Sequence, residues 1–236
     1  VLVLDDLTEI RERDAQMTHV RRYLPLALVE NIRSEDLAAL GGQERTITVL
    51  FADVRGFTTF SEQLDPERLM EIINKYMSVA SDSINLYEGV VDKYMGDAAT
   101  GLFNTPLNPQ PDHALRAVRA AFSMVYDVLA LHEVLPEDQR LFYGIGIHTG
   151  SAILGNVGSQ DRREFAAIGD AVEFSKLLQE NAQKGEIIVS AETYAVVKDY
   201  FDFEALEPRK TKDHTDFTVM YSLIGRKKRA TGPLAE

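Results

Sequence analysis

The chain has no cysteine, no apolar run near the ~18 residues that cross a bilayer, and a shortage of positive charge. Without cysteine there are no disulfides, thiolate zinc sites or cysteine nucleophiles, and a reducing, cytoplasmic location is the simplest expectation. Without a long apolar run or a basic and apolar leader pattern, this segment carries no membrane span or signal peptide. A membrane attachment elsewhere in a longer parent chain stays open, because Val1-Leu2-Val3-Leu4 begins in the manner of a strand interior. With 25 basic against 37 acidic residues, the net charge of −12 repels phosphate backbones and argues against nucleic acid as a partner. Histidine is sparse too: His19, His113, His132, His148 and His214 show no ligand spacing, and His148 reads as a satisfied sheet residue.

What is present is 45% hydrophobic content in 236 residues, enough for one core with flanks. Residues 1–43 read as the end of a sensor domain followed by a helical transducer or linker. Ile10, Met17 and Leu24 repeat every seven residues there, a short stripe that suits either a dimer seam or an amphipathic helix on its own domain. Residues 44–224 read as the main domain, and 225–236 as a basic flexible tail.

Within the domain, 46–52 predicts a largely buried strand. Asp65-Pro66-Glu67 supplies an N-cap, a first-turn proline and a first-turn acid to a helix that Gly89 stops. Short strands are expected over 90–93 and 98–103 around the turn Met95-Gly96-Asp97. Asp112 begins a second amphipathic helix, followed by strands over 142–148 and 164–168, a helix over 170–179, a strand over 187–190 and a last alternating strand through Phe217, Val219, Tyr221 and Leu223. This order predicts an α+β fold of ferredoxin-like, palm-type βαββαβ topology with helices packed on one face, plus the N-terminal helical linker.

Two acids stand out. Asp53 closes an apolar strand beside Gly56, and Asp97 sits in a tight turn between strands. A turn aspartate is often only a turn former. Two carboxylates on adjacent strand ends also suit a pair of divalent ions in phosphoryl transfer.

The wording around them resembles the class III nucleotidyl cyclases, the adenylate and guanylate cyclase family. The resemblance rests on the stretch Phe51-Ala52-Asp53-Val54-Arg55-Gly56-Phe57-Thr58, on 91–97, on Gly144-Ile145-Gly146-Ile147-His148-Thr149-Gly150, on 155–159 and on Ile168-Gly169-Asp170-Ala171-Val172. It implies a dimer with composite sites between two chains, a homodimer or a heterodimer with another cyclase-type chain, and an upstream sensor domain in the same chain. It implies conversion of ATP, or another nucleoside triphosphate, to cyclic nucleotide and pyrophosphate, with two Mg²⁺ or Mn²⁺ ions per site. Asp53, the backbone of Val54 and Asp97 become the metal positions. Val54, Arg55, Gly56 and Phe57 become a phosphate nest, and Lys93 becomes the base-reading lysine, where guanylate cyclases tend to carry glutamate.

Four positions depart from or strain the family pattern. Ala166 stands where a threonine or aspartate would partner Lys93. Glu173 and Leu177 stand at the transition-state asparagine and arginine, which implies weak turnover in a homodimer. Lys212 matches a triphosphate-binding lysine, although Asp213 replaces the glycine that usually follows. An inactive Mg-nucleotide-binding or relay module is the alternative. A diguanylate cyclase is excluded, since Met95-Gly96-Asp97-Ala98-Ala99 lacks the Gly-Gly-acid-Glu-Phe turn of that class.

Overall fold

The structure, a computed structural model, describes residues 41–159, 163–207, 209–211 and 214–227. The helical linker up to residue 40, Lys212 and the tail beyond 227 lie outside the described residues. In chain order the elements are β1 (Gln43–Arg55), α1 (Phe57–Ser61), α2 (Pro66–Leu86), β2 (Val90–Met95), β3 (Ala98–Phe103), α3 (His113–His132), a 3₁₀ turn (Glu137–Gln139), β4 (Phe142–Gly158) and β5 (Arg163–Ile168). Then come α4 (Asp170–Asn181), β6 (Ile187–Ser190), α5 (Ala191–Val197), β7 (Phe201–Ala205), β8 (Arg209–Thr211), β9 (His214–Thr218) and β10 (Met220–Arg226).

The main sheet runs β2-β3-β1-β4-β6-β10-β7, with β5 paired to β4. Its first four strands, with α2 between β1 and β2 and α3 between β3 and β4, form the βαββαβ unit that the order of elements predicts. β1 is central and antiparallel to both β3 and β4. The local signals explain α2: Asp65 accepts from the Arg68 amide at 3.0 Å and Pro66 opens the first turn. Gly89 does end the helix region, but Glu88 is the residue that takes the left-handed backbone, with φ 60°. Gly89 is required instead for space, because a Cβ there would lie 2.6 Å from the Phe103 ring.

One face of the sheet carries α2 and α3. Ile72, Tyr76, Ala80 and Ile84 of α2, and Ala117, Val118, Ala121 and Met124 of α3, meet Leu50, Ala52 and Val54 of β1 and Tyr143, Ile145 and Ile147 of β4. Packing of these stripes supplies most of the apolar burial, at about 1.5–3 kcal/mol per fully buried large side chain. The expectation that helices lie on one face holds for these two and for α5, whose Val197 joins the same core, but not for α4. α4 lies across the opposite face, where Ala171 joins Ile47, Val49, Ala152 and Leu154. The cause is local: Gly144 and Gly146 alternate with the core residues of β4, and a Cβ on Gly146 would strike the Ser175 carbonyl and the Gln179 amide.

Other boundaries also move. β4 continues ten residues past 148 to Gly158 because its second half pairs with both β1 and β5. The alternation from 217 to 223 is divided: Phe217 belongs to β9, which forms a separate two-stranded ribbon with β8, and only β10 joins the main sheet. Among the described residues, no helix is long and apolar enough to cross a membrane.

Candidate active site

Asp53 lies near the end of β1, directly across from Ala98 of β3. Gly96, with φ 65°, turns β2 into β3, so Asp97 arrives beside the same strand end, and the Val54 amide donates to the Asp97 carbonyl at 3.3 Å. The structure therefore brings together the two acids that sequence reasoning paired. Burial first, and then the negative charge of Asp97, push the Asp53 carboxyl from 3.8 up to about 6, while Arg55 pulls it down and Glu180 adds a smaller rise. Asp97 is also raised, chiefly by burial, against its own backbone hydrogen bond and Arg55.

Directly after Asp53, Gly56 takes φ 79° and precedes the single turn of α1, with the Phe60 amide closing on the Gly56 carbonyl at 3.1 Å. Gly56 is exposed, Val54 is buried, and Phe57 packs partly against the core. Arg55 contributes more than backbone. Its guanidinium sits 3.8 Å from Asp53, donates to the Gln179 carbonyl of α4, and lies over Gly144. With its amide oriented to satisfy both groups, the Gln179 side-chain oxygen accepts from Arg55 at 3.1 and 3.2 Å. Sequence reasoning missed Gln179 and Glu180 at this site. No spacing rule links them to Asp53, because the contact depends on which face α4 covers.

The remaining candidates lie elsewhere. Lys93 is in β2 opposite Thr100, its ammonium 3.3 Å from Asp92. Ala166 is buried in β5 opposite Gly155. Glu173 is exposed in the first turn of α4, with Leu177 half-buried one turn on. Along the helix, Glu173 stands about 10 Å from Glu180, the α4 charge that Asp53 feels. Within one chain, Glu180 and not Glu173 is the α4 charge that acts on Asp53. His148 is a satisfied sheet residue, bonded to Ser190 at 2.8 Å and edge-on to Phe174. Among the described residues, no three metal-ligating side chains form a cluster.

Comparison with known proteins places these features. The family described as the adenylate and guanylate cyclase catalytic domain matches residues 42–225. The chain is 29% identical to "Adenylate cyclase 1" of Rhizobium meliloti, covering 91% of this chain and 33% of that protein. It is 30% identical to "Adenylate cyclase" of Anabaena cylindrica, over 67% of this chain and 32% of that protein. The chain thus spans about a third of the length of these relatives. Among solved structures, the adenylyl cyclase CyaB from P. aeruginosa superposes with TM-score 0.75 at 29% identity, covering 82% of this chain and all of that one. The guanylyl cyclase Cya2 gives TM-score 0.73 at 33% identity, covering 81% of this chain and 98% of that one.

Proposed function

The chain belongs to the adenylate and guanylate cyclase catalytic-domain family, and on that premise we propose that it supplies one half of a two-metal site converting ATP to cyclic AMP and pyrophosphate. The carrying observation is the meeting of Asp53 and Asp97 at one strand end, tied by the Val54–Asp97 backbone bond. The donor set suits divalent cations, since two hard carboxylates lie close enough for the charge of one to raise the other, and Arg55 offsets them only in part. Bound there, two Mg²⁺ or Mn²⁺ ions would neutralise the triphosphate and acidify the ribose 3′ hydroxyl.

The chain's own groups divide the remaining work. Asp53, Asp97 and the Val54 carbonyl would hold the ions. The amides of the Gly56 turn face the phosphates. Lys93 donates to the base and favours ATP over GTP. Lys212, outside the described residues, is the candidate triphosphate-binding lysine. That Glu180 and not Glu173 is the α4 charge acting on Asp53 supports a site shared between two chains, one giving the carboxylates and the other giving Lys93 and the α4 positions. Here α4 offers Glu173 and Leu177, neither of which stabilises a charged transition state. A missing preorganised donor costs about 10²–10³ in rate, so the homodimer is a weak enzyme. A partner chain with asparagine and arginine at these positions would complete the site, and a sensor and transducer ahead of residue 44 would regulate it.

A second reading, a module that binds Mg-nucleotide or dimerises without chemistry, is favoured by one observation. Glu173 is exposed at the start of α4, and an anion about 5 Å from a triphosphate charge is repelled by about 3 kcal/mol at an effective dielectric near 20. Cyclic nucleotide output of the purified chain and of the Glu173→Asn, Leu177→Arg double variant separates the two. Cyclase function predicts a gain on the order of 10²–10³ that Asp53→Ala abolishes. A folded, dimeric double variant that binds Mg·ATP and forms no product would refute it.

A further inference from the structure

Asp92 is a charge that the fold gives no reason to keep. Its side chain is only 4% exposed, one oxygen lies 3.3 Å from the Lys93 ammonium, and the other, Oδ1, is buried with no hydrogen-bond partner among the described residues. Burial raises its carboxyl above the ordinary range, Lys93 opposes this, and the charge of Glu164 adds to it. The pairing of β2 with β3 slips between Val91 and Lys93, which makes Asp92 the extra residue of a bulge. A bulge breaks the strict alternation of faces, so these two consecutive side chains meet. On the neighbouring β5, Glu164 and Ala166 are two residues apart and share a face. The β5 strand adjoins β2, and the charge of Glu164 reaches Asp92. The methyl group of Ala166 offers Lys93 no acceptor, whereas Asp92 offers one from β2.

We infer that Asp92 is a positioning residue for nucleobase selection: its carboxylate holds the Lys93 ammonium in the place that Ala166 cannot secure. The inference rests on the reading of Lys93 as the base-reading group. Lysine is a point charge on a flexible stem with three donors. Adenine presents an acceptor at N1, whereas guanine presents an N–H there with the O6 acceptor beside it. A free Lys93 reaches either edge, and a held one distinguishes them. A buried charge with one oxygen unpartnered weakens the fold, so stability and base selection should respond in opposite directions when the charge is removed.

The test uses the full chain and its Asp92→Asn, Ala166→Thr and double variants. It measures the thermal midpoint, the ¹H–¹⁵N signal of the Lys93 ammonium without nucleotide, and the affinities for fluorescent ATP and GTP analogues with Mg²⁺. In Asp92→Asn the midpoint should hold or rise, the Lys93 ammonium signal should weaken, and preference for the ATP analogue should fall on the order of tenfold. Adding Ala166→Thr should restore that preference. An unchanged preference, or a lowered midpoint with equal loss of both analogues, would overturn the inference alone. A wild-type chain that binds neither analogue would refute the cyclase reading and this role together.

Discussion

Replacing Asp53 by asparagine removes a charge and keeps the shape, and it should stabilise the chain. In the folded state burial and Asp97 hold the Asp53 carboxyl at about 6, against 3.8 for an ordinary aspartate. The folded value is the higher one, so the fold favours the protonated acid. Between about pH 4 and 6 the folded chain binds the extra proton, and stability falls as pH rises through this window, with the full deficit present above it. A gap of about two pH units corresponds to about 3 kcal/mol. The side chain is 30% exposed, and solvent screening brings the figure down to about 1–2 kcal/mol. Loss of the 3.8 Å contact with Arg55 removes well under about 1 kcal/mol and does not reverse the sign. Urea unfolding with a chelator should therefore show Asp53→Asn more stable than wild type by about 1–2 kcal/mol near neutral pH, converging with it near about pH 4. Added Mg²⁺ should then stabilise wild type in proportion to occupancy and leave the variant unmoved. Equal or lower stability of the variant at neutral pH with chelator would refute the account of Asp53 as a crowded carboxylate awaiting a cation.

Two further outcomes test the framework around the site. Gly146→Ala drives a Cβ into the Ser175 carbonyl and the Gln179 amide, so the urea midpoint should drop by the equivalent of about 1–3 kcal/mol; a neutral result would contradict the close seating of α4. Asp65→Ala removes the acceptor of the Arg68 amide and should cost about 1 kcal/mol in the same assay, with Asp65→Ser recovering most of it.

Much of the architecture could be read before any coordinates, for reasons that are local. Asp65-Pro66-Glu67 sets the start of α2 because a cap and a proline act within one turn. The β2–β3 hairpin follows from Gly96, which takes φ 65° between two apolar runs. Asp53 and Asp97 could be paired from motif wording, and β1–β3 pairing brings them together. The misreadings share a different cause. Gly144 and Gly146 look like open positions on a strand, yet Gly146 seats the backbone of α4 and Gly144 makes room for the Arg55 guanidinium, and nothing in their spacing says which group lies there. Asp92 stands two residues after buried Val90, so strand alternation places an acid on an inward face. That signal was available. The bulge that turns Asp92 toward Lys93 was not, because it depends on how β2 pairs with β3.

The paired aspartates, the capped helix and the order of elements along the chain belong to the sequence alone, since each is a matter of residue type and spacing. The tertiary structure decided how hard those residues press on one another. Burial beside Asp97 raises Asp53, and α4 on the opposite face brings Gln179 to Arg55 and the Glu180 charge to bear on Asp53. Such effects depend on distance and exclusion of water, and both arise only when segments far apart in the chain pack together.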